Sequence, residues 1–155
     1  MTLATFNAAP AAEALALMRS CCASARFAAA MTAGRPYPSA DAAAAEVDTV
    51  FATLTWDDVR EAMDGHPRIG ARVSGQSAVE QSGVAGQARA ALAAGNAAYE
   101  ERFGHVFLIC ATGLNGDQLL AALRRRLGND EQSERAVAAA ELRAITVLRV
   151  RRALD

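Results

Sequence analysis

The apolar residues of this chain are alanine to an unusual degree, and that choice limits the folds open to it. Hydrophobic residues make up 52% of the sequence, while Phe, Trp and Tyr together make up 5%. Alanine is the strongest helix former, whereas strands draw on β-branched and aromatic side chains. The chain therefore reads as all-α. Its 155 residues suit a single domain, 1–155, large enough to bury a core without a disulfide framework or a structural metal.

Break signals divide the sequence into helices. The spacing of Leu15, Met18, Cys22 and Phe27 predicts one helix over residues 10–31, ended by Gly34-Arg35-Pro36-Tyr37-Pro38. A second helix starts near Ser39 or Asp41 and carries Val47, Val50, Phe51 and Leu54. Thr55-Trp56-Asp57-Asp58 has the form of a capping box for a short helix stopping at Gly65. Ser77-Ala78-Val79-Glu80 repeats that form before a helix reaching Phe103. Residues 106–110 are a short apolar stretch, extended or tightly wound. Asn115 caps a helix closed by Gly128-Asn129, and a last helix runs from about Asp130 to the C-terminus. The sum is a single-domain bundle of about seven to eight helices.

Charge and residue inventory exclude several chemistries. Basic and acidic residues number 16 and 17, and every basic residue is arginine. Without lysine there is no Schiff-base, pyridoxal-phosphate or P-loop enzyme. Balanced charge and the lack of interleaved aromatics argue against nucleic acid, and no uncharged apolar run reaches membrane-spanning length. Three cysteines, two adjacent and none in CxxC spacing, point to a reducing compartment rather than a disulfide or zinc framework. With no signal peptide apparent, the expected setting is the cytoplasm. The two histidines, His66 and His105, lack metal-ligand spacing, so no metal and no cofactor is expected.

The segment Gly65-His66-Pro67-Arg68-Ile69-Gly70 carries the strongest chemical signal. Pro67 pushes His66 out of helical geometry, so its imidazole projects from a turn. Such a histidine either caps the preceding helix or moves protons. Glu80 either closes its own capping box or, beside the Gln81 amide, holds the N–H groups of a ureido or amide-like ligand. Arg149 falls on the core-facing stripe with Leu142 and Ile145, so it snorkels or binds an anion. Arg124, Arg125, Arg126, Arg151 and Arg152 are most simply solvated faces. Cys110, in an apolar run, reads as buried and inert. The tools that remain suit cofactor-free proton chemistry on a small polar anion.

Together these landmarks resemble the 2-oxo-4-hydroxy-4-carboxy-5-ureidoimidazoline (OHCU) decarboxylase family. The matching pieces are Cys21-Cys22-Ala23-Ser24, Arg26-Phe27, Met31 through Arg35-Pro36-Tyr37, the His66 segment and Glu80-Gln81-Ser82-Gly83. They continue with Tyr99 through Thr112-Gly113 and Glu141 through Arg149. The order is the family's and nearly the whole chain is covered, although the loop between His66 and Glu80 is shorter than is typical. The resemblance implies an all-α, dimeric enzyme of urate breakdown that converts OHCU to (S)-allantoin and carbon dioxide without cofactor. Its pathway neighbours would be urate oxidase and hydroxyisourate hydrolase. By position, His66 and Glu80 would be catalytic, with Pro67, Ser77, Gln81, the backbone of Phe107 and Ile109, and Arg149 binding substrate. The alternatives are an enzyme acting on another ureido or imidazoline acid, and a non-catalytic helical binding module.

Overall fold

A computed structural model describes residues 1–69 and 86–155, with the side chains of residues 86 and 87 left aside. Among the described residues there are eight helices and no strand. They are α1 (Leu3–Ala8), α2 (Ala11–Cys21), α3 (Ala25–Ala33), α4 (Ala40–Phe51), α5 (Trp56–Asp64), α6 (Gly86–Phe103), α7 (Gly116–Leu127) and α8 (Glu131–Leu154). The all-α expectation holds. The expected capping box that begins at Ser77 lies outside the described residues.

Most helix ends follow their local signals. The Ser39 hydroxyl accepts from Ala42 N at 3.0 Å to start α4. Thr55 and Asp58 exchange bonds, Thr55 N to Asp58 Oδ2 at 2.9 Å and Asp58 N to Thr55 Oγ1 at 3.3 Å. Asn115 and Gln118 form a full capping box at the start of α7. The helix expected over 10–31 is instead two, α2 and α3. The break comes at Cys22, whose backbone turns extended, and buried Ser24 restarts the chain by accepting from Phe27 N at 3.2 Å. A single hydroxyl cap inside an apolar pattern leaves the 3.6-residue period almost undisturbed, which is why the pattern alone spans the break.

The chain gathers into two compact units. One comprises Met1–Ala62 with Leu142–Asp155, the other Met63–Glu141. In the first, α2 packs on α3 and α3 on α4. Arg35 satisfies carbonyls that helix ends leave open. Its Nη1 donates to Phe6 O at 2.7 Å and Ala9 O at 2.8 Å, and its Nε to Thr32 O at 3.0 Å. Glu61 of α5 accepts from Ala25 N at 2.6 Å, anchoring α5 to the start of α3.

The second unit is built on α6 against α7. Gly95 lies so close to Leu123 that a Cβ there would overlap the leucine's Cδ2. Absence of a side chain is what lets the two helices approach. Around this contact Ile69, Leu92, Tyr99, Phe107, Ile109, Leu119 and Leu123 form one apolar cluster.

Candidate active site

Helix α5 ends because Pro67 cannot continue it. His66 N still donates to Met63 O at 2.9 Å, so the imidazole leaves from a tight turn as expected. His66 and Pro67 are half-buried, and Ile69 is buried. The turn is held from behind by α6. Arg68 forks onto Glu100, with Nε to Oε1 at 2.6 Å and Nη2 to Oε2 at 3.0 Å. Asn96, 3% exposed, donates from Nδ2 to Ile69 O at 2.9 Å. Asn96 and Glu100 are one helical turn apart and so share a face. The His66 backbone is thus bounded by α5 on one side and by two adjacent grips on the other.

Gly104, at φ +76°, turns the chain sharply after α6 and donates to Glu100 O at 2.8 Å. Residues 106–110 that follow form no helix. His105 is buried edge-on to Tyr99 and stacked with Phe103, its Nδ1 3.1 Å from Val106 O. Two further groups hold this segment. Arg126 Nη1 donates to Leu108 O, and Cys110 N donates to Glu141 Oε2 at 2.9 Å. The partnered groups belong to Val106, Leu108 and Cys110, every second residue of this stretch. Phe107 and Ile109, both buried, form no backbone hydrogen bond to protein among the described residues.

Arg126 sits in a buried polar network. Its Nε donates to Glu134 Oε1 at 2.7 Å, and Nη2 approaches the same oxygen at 2.6 Å. Tyr99 Oη donates to that oxygen at 2.6 Å, and Asn129 Nδ2 to Oε2 at 3.0 Å. The guanidinium lies 4.5 Å from the Phe107 ring centroid and 5.8 Å from that of Tyr99. Burial, then the bond to Glu134, raises the Tyr99 hydroxyl well above its ordinary range. The expectation that Arg126 is solvated is therefore wrong: the residue is 6% exposed. A run of three arginines looks like a wet face, and only tertiary contacts single out the one that turns inward. Cys110 is half-buried rather than buried.

Arg149 belongs to the first unit, in the C-terminal part of α8, and is 7% exposed. So small an exposure leaves no room for snorkelling. It lies beside Cys21 and Cys22. Burial pushes the Cys21 thiol up to about 11 and raises Cys22 too, while the nearby Arg149 charge pulls both down more weakly. Of the sequence-predicted residues, the His66-Pro67 turn and the Phe107–Ile109 segment belong to the second unit, where Ile69 shares a buried cluster with Phe107 and Ile109. Ser77, Glu80 and Gln81 lie outside the described residues. No group of three His, Cys, Asp or Glu among the described residues could hold a metal ion. None of their helices is long and apolar enough to cross a membrane.

Asn96, Glu100, Arg126 and Glu141 were not legible as site-forming residues. Their partners are 18 to 32 residues away, so no local spacing reveals them.

Residues 7–151 match the family model for OHCU decarboxylase. The chain is 34% identical to "Uric acid degradation bifunctional protein TTL" of Arabidopsis thaliana, over 84% of this chain and 44% of that protein. It is 31% identical to the 2-oxo-4-hydroxy-4-carboxy-5-ureidoimidazoline decarboxylase of Amia calva, over 79% of this chain and 77% of that protein. The chain thus spans under half the length of the plant relative. Among solved structures it is similar to an OHCU decarboxylase crystallised in the presence of (S)-allantoin. There the TM-score is 0.76 and the identity 32%, covering 85% of this chain and 92% of the other. A crystal structure of (S)-allantoin synthase, at 19% identity, has the same fold with a TM-score of 0.76, over 100% of this chain and 54% of that one. A match that runs through both compact units and includes the His66 turn places the chain in the OHCU decarboxylase family.

Proposed function

We propose that this chain removes carbon dioxide from OHCU and yields (S)-allantoin, a step of urate breakdown. The observation that carries the reading is the His66-Pro67 turn gripped by Asn96 and Glu100, within a chain matched to the family over residues 7–151. A restrained histidine of this kind suits proton delivery with a fixed direction. Breaking the carbon–carboxylate bond leaves an electron pair that the substrate's adjacent C=N can accept, so no cofactor is invoked. A proton then adds to one face of the ring carbon and fixes the (S) configuration. His66 engages the carboxylate or hydroxyl and serves in that protonation, with Glu80 fixing the substrate's orientation. Pro67 keeps the histidine rigid, Glu80 and Gln81 grip the ring and ureido nitrogens, Ser77 binds substrate near the same glutamate, and Arg149 binds an anionic or carbonyl oxygen.

In this reading residues 1–155 act as one domain and assemble as a homodimer in the cytoplasm. Urate oxidase and hydroxyisourate hydrolase supply the substrate. The test adds the protein to freshly generated OHCU and follows the circular-dichroism signal of (S)-allantoin. Acceleration lost in His66→Asn is the expected result. If the unaltered protein does not outpace spontaneous decay, the assignment fails, and binding without turnover would favour the helical binding module. Light scattering should give twice the chain mass of 16.2 kDa.

A further inference from the structure

We propose that Arg126 and Glu141 are positioning residues for this reaction, setting the backbone of Phe107 and Ile109 to meet the substrate. The inference rests on the proposed function and adds residues that do not touch substrate themselves. Arg126 grips Leu108 O and Glu141 grips Cys110 N, two residues apart on a segment whose bonded groups fall on alternate residues, the pattern of extended backbone. In extended backbone the N–H and C=O of one residue point to the same side, and the next residue's point to the other. Holding Leu108 and Cys110 on one side therefore turns the polar groups of Phe107 and Ile109 to the opposite side.

Those groups have reason to seek a partner. Phe107 is 1% and Ile109 7% exposed, yet neither makes a backbone hydrogen bond to protein among the described residues. Buried amides are nearly always paired. Each of these residues offers a donor beside an acceptor, the complement of the N–H and C=O edge of a cyclic ureide. The Arg126–Glu134 pair also costs desolvation that an apolar pair of similar volume would avoid. Its use is to fix one direction of the Leu108 carbonyl.

Glu141→Ala and Glu141→Gln test the role without opening the buried Arg126 network. Gln keeps an oxygen able to accept from Cys110 N, whereas Ala does not. Glu141→Ala should raise KM or lower kcat by about 10- to 100-fold, the scale of a small misplacement. Its Tm should stay near that of the unaltered protein and its pH–rate profile should be unchanged, and Gln should restore most of the loss. Amide NMR signals of Phe107 and Ile109 should shift on titration with (S)-allantoin, less so in Glu141→Ala. An active unaltered protein matched by Glu141→Ala, or a Gln variant no better than Ala, overturns the positioning role alone. An unaltered protein without turnover overturns the proposed function, and the amide shifts then decide the positioning role by themselves.

Discussion

Arg68 and Glu100 form a two-point fork, at 2.6 and 3.0 Å, that ties the segment behind His66 to the middle of the second unit. The Arg68 side chain is 62% exposed and that of Glu100 25%, so water screens the pair. Its value lies in direction more than in stability. Arg68→Ala should leave the urea-unfolding midpoint almost unchanged. Turnover should fall by up to about tenfold, the scale of a small misplacement. The exchange Arg68→Glu with Glu100→Arg should recover part of it. Equal losses in stability and rate would mean that the fork only stabilises.

Glu134 is fully buried and receives bonds from Tyr99, Arg126 and Asn129. Glu134→Ala should destabilise by about 3–5 kcal/mol, because it strands the Arg126 charge in the core. Arg126→Met combined with Glu134→Leu should cost less than Glu134→Ala, since it removes both charges. Chemical denaturation of the three proteins measures the difference. A double variant as unstable as the single would show that the wider network, not the stranded charge, sets the cost.

Gly95→Ala pits two effects against each other. Alanine gains about 1 kcal/mol in helix propensity. The new Cβ would overlap Leu123, which is fully buried and has little room to move. Overpacking of this kind costs about 1–3 kcal/mol, so a net loss is expected. Leu123→Ala in the same chain should make the Gly95→Ala change favourable, which thermal unfolding of the four proteins would reveal.

Cysteine reactivity should divide the three thiols. Cys21 and Cys22 are buried with raised thiol pKa values, Cys21 at about 11, and Cys110 is half-buried. Alkylation at pH 8 should label Cys110 first and reach the other two only on unfolding. Because the folded state favours the protonated Cys21, its contribution to stability is complete below the ordinary thiol range near pH 8.5. That contribution is lost as pH rises through about 11. Cys21→Ala should therefore flatten the alkaline arm of the stability profile. An unchanged arm would place the alkaline loss elsewhere.

Local chemistry is what the sequence expressed most faithfully. Alanine content, the Thr55–Asp58 and Asn115–Gln118 caps, and Pro67 after α5 each act within a few residues. They set the all-α class, most helix ends and the turn at His66. The short α1 and the break at Ser24 escaped because one hydroxyl bond hardly alters an apolar period. The tertiary structure alone decided which arginine of the 124–126 run is buried, and which residues grip the His66 turn and the 106–110 segment. Those choices depend on bonds between residues 18 to 32 positions apart. Helix periodicity sets a residue's face, but only the packing of other helices determines whether that face meets water or a carbonyl.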